Sequence, residues 1–176
     1  MLSLVVFLTG CFFVATVHAA CKTGPFDAKT SIIGPGSGKY YLMKSTYSDE
    51  KSCLYVVARP KRTTFPTEYP FGYKENGNWV EDKGTVDGNG ADIIDNDEKF
   101  GQTTTTLVYS DYTLCDVGLF SGKKVGGPHV ELWKHSDANE NSEDFKCCKD
   151  RYEAEVKKQG KQSDVREIGS DCDYPK

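Results

Sequence analysis

YPFGYKENGNWVEDKGTV, residues 69–86, is the stretch that decides the fold. Tyr69–Lys74 and Trp79–Val86 carry the aromatic and β-branched side chains that suit strands, and Glu75-Asn76-Gly77-Asn78 separates them. Asn-Gly tolerates the positive φ angles of a tight turn, so the stretch reads as an antiparallel hairpin. The same texture continues in both directions. Upstream, Tyr40–Tyr47 and Cys53–Arg59 read as strands, the second ended by Pro60. Downstream, Ala91–Phe100, Thr103–Ser110, Leu114–Phe120 and His129–Lys134 bring the number of strands to eight. Turn residues divide them at short intervals, the pattern of a β-sandwich or an up-and-down barrel.

One amphipathic helix follows the strands. Asn141 is placed to cap it, and Glu143 and Asp144 suit its first turn. Phe145, Cys148, Tyr152 and Val156 form one apolar stripe, and Lys157, Lys158 and Gly160 mark the end. A single helix after eight strands packs on the outside of a barrel. A shorter helix is expected from Pro25 to a stop at Gly34, and the polar segment after Gly160 is expected to be held mainly by Cys172.

The chain has 176 residues, 26 acidic and 22 basic, for a formal charge of −4. That length suits one domain, and the acidic balance argues against a general nucleic-acid binder. Met1–Val17 is uncharged, with the apolar run Leu4-Val5-Val6-Phe7-Leu8, and Val17-His18-Ala19-Ala20 follows. These features are those of a secretory leader cleaved after Ala19 or Ala20. The apolar stretch is shorter than the ~20 residues a membrane span needs. Residues 1–19 are therefore expected to be a leader, and residues 20–176 a single secreted, soluble domain. Cys11 would leave with the leader. Cys21, Cys53, Cys115, Cys147, Cys148 and Cys172 remain, and six cysteines in an oxidising compartment read as three disulfides. Cys147 and Cys148 are adjacent, so each should reach a different distant partner. Zinc is disfavoured because no CxxC pair exists.

Several motifs fail on inspection. GPGSGK at 34–39 has the wrong spacing for a phosphate loop, and Tyr40 stands where Ser or Thr should bind magnesium. The acidic run Asp87–Glu98 departs from a calcium loop and reads as a solvated hairpin. No Gly-x-Ser-x-Gly elbow exists, and His129 and His135 have no recognisable nucleophile beside them. An enzyme is not expected, nor a cofactor or metal.

The chemistry lies in the last two strands. Leu114, Asp116, Gly118 and Phe120 share one face of the first, and His129, Glu131 and Trp133 share one face of the second. In a simple hairpin, Asp116 and Glu131 lie opposite or diagonal on the same side. Alternation alone leaves two orientations open. Facing outward, Lys123, Lys124 or Lys134 would neutralise the pair. Facing inward, the pair makes a site for an incoming ammonium, and Trp133 would add cation–π attraction or a flat surface for a ring. Tyr41, Met43, Ser45 and Tyr47 share a face of the first strand, opposite Lys44, and either line the same cavity or pack as ordinary core, the favoured reading for Met43.

Cys115-Asp116-Val117, a gap of 13 residues, Glu131-Leu132-Trp133, another gap of 13, then Cys147 resembles the biogenic-amine-binding signature of tick salivary lipocalins. The leading cysteine, the cysteine of the second strand, the Cys147-Cys148 pair and the final cysteine complete the frame, which looks like the soft-tick branch. One departure is that Gly38-Lys39-Tyr40 stands where lipocalins at large carry Gly-x-Trp. The resemblance implies an eight-stranded antiparallel lipocalin barrel with a terminal helix. It implies a secreted, monomeric salivary protein whose cavity sequesters host histamine or serotonin and so dampens inflammation. It assigns the amine to Asp116 and Glu131, and implies disulfides Cys21–Cys147, Cys53–Cys172 and Cys115–Cys148. Two alternatives stand beside it. Related tick lipocalins hold leukotrienes, fatty acids or sterols, which would prefer Arg59, Arg62 or Lys44 inside. A surface that inhibits host complement would leave no motif.

Overall fold

The computed structural model describes residues 21–175, so the leader expected at 1–19 lies outside the described residues. Eight strands follow one another: β1 (Lys39–Ser45), β2 (Ser52–Val57), β3 (Thr67–Glu75), β4 (Asn78–Asn89), β5 (Asp92–Asp97), β6 (Gly101–Ser110), β7 (Cys115–Gly122) and β8 (Gly126–His135). Each pairs antiparallel with the next, β8 returns to β1, and β1 also pairs with β2. The sheet is therefore a closed antiparallel barrel and not a sandwich. The β3–β4 hairpin turns where the sequence indicates. Glu75 pairs with Asn78, leaving Asn76 and Gly77 as the two turn residues, with φ of 53° and 81°. A short strand that sequence reading missed, β9 (Arg166–Glu167), extends the end of β1.

Among the described residues two α-helices and a short 3-10 turn (Gln162–Asp164) accompany the strands, and each α-helix starts a little later than the sequence suggested. Helix α1 (Ala28–Ile33) is capped by Asp27, whose Oδ1 accepts from Thr30 N at 2.7 Å and Thr30 Oγ1 at 2.6 Å. It begins there and not at Pro25 because the Asp27 carboxylate satisfies the first free amide. It stops at Gly34, whose φ is 52°. Helix α2 (Glu143–Lys158) is capped by Ser142, not Asn141, through Phe145 N to Ser142 Oγ at 3.2 Å.

The stripe Phe145, Cys148, Tyr152 and Val156 is buried against the outer face of β7 and β8, where Cys115, Val117, Val130 and Leu132 project. Phe145 is 1% exposed, and burying such a side chain contributes about 1.5–3 kcal/mol. Disulfides Cys115–Cys148 and Cys21–Cys147 staple α2 to the barrel and to the start of the domain. Cys53–Cys172 ties the C-terminal tail to β2.

Candidate functional site

The outer face of β7–β8 serves the helix, so alternation sends Asp116, Gly118, Glu131 and Trp133 inward. Asp116 is 7% exposed and Glu131 is 2% exposed. Asp116 pairs across the strands with Trp133, and Gly118 pairs with Glu131. The two carboxylates are thus diagonal neighbours on the same side of the hairpin. Gly118 opposite Glu131 keeps the interior open. A Cβ there would lie 2.2 Å from Thr105 Cγ2.

The barrel interior holds two adjoining cavities of about 100 and 80 Å³, room for several waters or a small ring. Val56, Tyr69, Asp95, Thr105 and Trp133 line both. The first lies under α1 and is bounded by Ser31, Tyr40, Arg59, Leu107 and Asp116. The second is bounded by Glu50, Phe71, Asp97, Phe120 and Glu131. Asp116 and Glu131 therefore flank Trp133 from different compartments. Among the described residues, the second compartment has four carboxylates on its wall and no Lys, Arg or His.

Ser31 Oγ donates to Asp116 Oδ2 at 2.8 Å, while Asp116 Oδ1 is buried with no partner. Burial raises this carboxyl from its ordinary 3.8 to about 6; the Ser110 and Ser31 hydroxyls pull it back and the negative charge of Asp111 adds to the rise. The Tyr40 hydroxyl is also buried and unpartnered, as are Nε and Nη1 of Arg59. Trp133 Nε1 donates to Glu131 Oε2 at 2.9 Å. Burial pushes Glu131 well above the usual carboxylate range, and the neighbouring Glu50 charge pushes it further. Burial raises Asp95 to about 7, against a hydrogen bond from the Tyr69 hydroxyl.

Not every residue read as cavity-lining is one. Tyr41 lies on the outer side, stacked on Tyr174 of the tail with ring centroids 3.9 Å apart, while its neighbour Tyr40 takes the inward position. The cause is a bulge between Leu42 and Lys44, which breaks the alternation within β1. Before it Tyr40 and Leu42 are the buried positions; after it Ser45 pairs with Glu131. Met43 takes no part in the cavity wall, and its carbonyl accepts from Ile168 N at 2.8 Å. Tyr47 packs on His129 and Phe120. Of the basic residues considered, Lys44 pairs with Glu167 at 2.8 Å, Arg62 is exposed, and Arg59 reaches the cavity.

Sequence reading missed Glu50 and Asp95. Glu50 sits in the β1–β2 connection, where no strand pattern gives its direction. Asp95 belongs to the acidic run taken for a solvated hairpin; strands β4 and β5 do form that hairpin, but Asp95 faces the cavities. Among the described residues, the group with metal-ligand spacing is Asp111, Cys115 and Cys148, and both sulfurs are already joined in a disulfide.

A model of the tick histamine binding protein family matches residues 22–173. The crystal structure of AM182 in complex with serotonin is similar, at 32% identity over 85% of this chain and 94% of that one, with a TM-score of 0.68. The bovine lipocalin allergen Bos d 2 is similar in fold, at 10% identity over 84% and 99% of the two chains and a TM-score of 0.59. So is the siderocalin Ex-FABP, at 11% identity over 81% and 97%, with a TM-score of 0.58.

Proposed function

This chain belongs to the tick histamine-binding protein family, a lipocalin family, and from that premise we propose that it is a secreted scavenger of a host biogenic amine, histamine or serotonin. It binds and does not turn its ligand over. The observation that carries this reading is the inward pair Asp116 and Glu131 on either side of Trp133. Buried carboxylates are costly without a cation, and an ammonium supplies one. The ammonium belongs at the Glu131 end, where acidic groups, and no basic one among the described residues, line the wall. The ring then lies along Trp133. Its far polar group, the imidazole N–H of histamine or the hydroxyl of serotonin, reaches the unpartnered Asp116 Oδ1. An eight-stranded barrel gives such a ligand a preformed, water-excluding container.

One observation favours a second reading. Nε and Nη1 of Arg59 are buried without partners beside Val56, Leu107 and Ile93, a setting that suits the carboxylate of a fatty acid or leukotriene.

Calorimetric titration of the mature protein with histamine and serotonin tests both readings. Tight 1:1 heat with an amine, abolished in a folded Asp116→Asn/Glu131→Gln variant, is the expected result. No heat with either amine, together with displacement of a fluorescent fatty acid that Arg59→Gln abolishes, would replace the amine with a lipid.

A further inference from the structure

Arg59-Pro60-Lys61-Arg62-Thr63-Thr64-Phe65-Pro66 joins β2 to β3. Arg59, Lys61 and Arg62 crowd three cations into its first four residues, with arginine at both ends. The chain has two other adjacent basic pairs, Lys123-Lys124 and Lys157-Lys158, and neither has arginine three residues before its second member. Both are also tied down. Lys124 Nζ donates to the Lys99 carbonyl at 3.0 Å, and Lys158 Nζ donates to Glu155 Oε1 at 3.1 Å within α2.

The β2–β3 connection differs in each respect. It contains no helix or strand, and Pro60, Lys61 and Arg62 are exposed. Thr63 N donates to the Pro60 carbonyl at 3.0 Å, a turn with Lys61 and Arg62 at its tip. Among the described residues, that is the one backbone hydrogen bond made between Pro60 and Pro66. Neither Lys61 nor Arg62 has an acidic partner among the described residues. Arg59 is held by its backbone, where N donates to the Ile32 carbonyl at 3.2 Å. Its side chain is not held: Nε and Nη1 are buried with no partner. Swinging out gives water to two donors that the barrel leaves unsatisfied. Exposed loop tips of this kind are where folded chains are nicked.

We propose that the Arg62–Thr63 peptide bond is a processing site for a serine protease of multibasic specificity, and that its cleavage gives a two-chain protein held together by disulfides. This rests on the secreted reading above, since such proteases act in the secretory pathway and outside the cell. An enzyme of this class lays its substrate out as an extended strand and reads the cations with acidic pockets. Arg62 supplies the cation next to the scissile bond, Lys61 the second and Arg59 the fourth. Pro60, at the third position, has φ fixed at about −65°, which suits an extended strand.

The step is a hydrolysis. The C–N bond between Arg62 and Thr63 breaks, the water oxygen joins the Arg62 carbonyl carbon, and both water protons end on the Thr63 nitrogen. The products near neutral pH are a carboxylate on Arg62 and an ammonium on Thr63. The cut falls between the halves of two disulfides. Cys21 and Cys53 lie before it, and their partners Cys147 and Cys172 lie after it. The first piece keeps α1, β1 and β2, and β1 remains paired with β8. The barrel stays closed, while Arg59, in the wall of the first compartment, is tethered from one side only.

Incubation of the purified, folded protein with a calcium-dependent, subtilisin-type convertase that requires arginine at the first and fourth positions tests this, apart from secretion and from amine binding. The expected product is one species without reductant, heavier by one water, and two pieces after reduction, the second beginning at Thr63. Arg62→Gln is expected to abolish the cut. Arg59→Gln is expected to slow it roughly tenfold or more, the size of one lost charge-assisted contact. Lys123→Gln/Lys124→Gln is expected to leave it unchanged. Arg62, Lys123 and Lys124 are exposed, so their replacement leaves the fold intact. A folded protein left whole would overturn the proposal: if the reduced, alkylated chain is cut, the fold withholds the bond, and if it is not, the sequence is not read. Cutting of the folded protein at Lys123-Lys124 or Lys157-Lys158 as fast as at Arg62 would overturn the assignment of the site. Loss of a piece without reductant would overturn the two-chain product.

Discussion

Replacing Asp116 with Asn will stabilise the barrel at pH 8 while weakening its hold on an amine. In the folded protein this carboxyl titrates near 6 instead of 3.8, chiefly because it is buried. Between those values the folded chain keeps a proton that the unfolded chain has released, so stability falls as pH rises and stays reduced above about 6. That rise in pKa corresponds to about 3 kcal/mol, at roughly 1.4 kcal/mol per pH unit. Asn preserves the shape and the acceptor for Ser31 Oγ but carries no charge. Its amide N–H inherits the place of Oδ1, which has no partner, at a cost of about 1 kcal/mol. The variant should therefore be about 2 kcal/mol more stable at pH 8 and about 1 kcal/mol less stable at pH 4. For a domain of this size each kcal/mol moves the melting temperature by roughly 2–4 °C, so the gain at pH 8 is about 4–8 °C. Scanning calorimetry from pH 4 to pH 8, with and without serotonin, reads all of this. At a hundredfold excess over Kd the amine stabilises wild type by about 2.7 kcal/mol, and the variant should need far more ligand for the same shift. A melting difference between variant and wild type that is the same at pH 4 and pH 8 would refute the reasoning, because burial of the charge would then not be what perturbs the group.

Two further substitutions probe the two faces of the same hairpin. Phe145→Ala, on the helix that covers the outer face, should cost about 3–5 kcal/mol, read as a drop in the denaturation midpoint with an unchanged slope. Gly118→Ala drives a methyl into Thr105, should cost about 1–3 kcal/mol, and should weaken serotonin binding by tenfold or more. Adding Thr105→Ala should recover much of both losses; no recovery would mean that the contact with Thr105 is not the cause.

The barrel was legible because its signals are local. Asn76-Gly77 fixes a hairpin by backbone conformation alone, and the stripe on α2 repeats at helical spacing. The inward direction of Asp116 and Glu131 was one of two readings until the helix was seen to occupy the other face with Cys115, Val117, Val130 and Leu132. What the sequence hid is non-local. The bulge after Leu42 depends on how β1 meets β8, so counting by twos carried Tyr41 to the wrong side. The pairing of Asp116 with Trp133 and of Gly118 with Glu131 makes the two carboxylates diagonal, one of the two arrangements that the sequence left open. Glu50 and Asp95 look like surface residues because acidic loops and turns usually are. Only closure of the barrel turns them toward its axis.

The strands β7 and β8 are used on both sides. Odd positions of β7 from Cys115 to Val117, with Val130 and Leu132 of β8, hold the helix, and the residues between them hold the cavity. Foldability and ligand choice are thus written in alternate letters of the same few words. A substitution in the inner set changes no contact that the helix makes, so a duplicated copy of this chain can exchange inner residues and acquire a new cargo while the helix keeps its seat. The Cys115–Cys148 bond, anchored one residue before Asp116, strengthens that separation: it pins the backbone from behind, whichever side chain is tried in front.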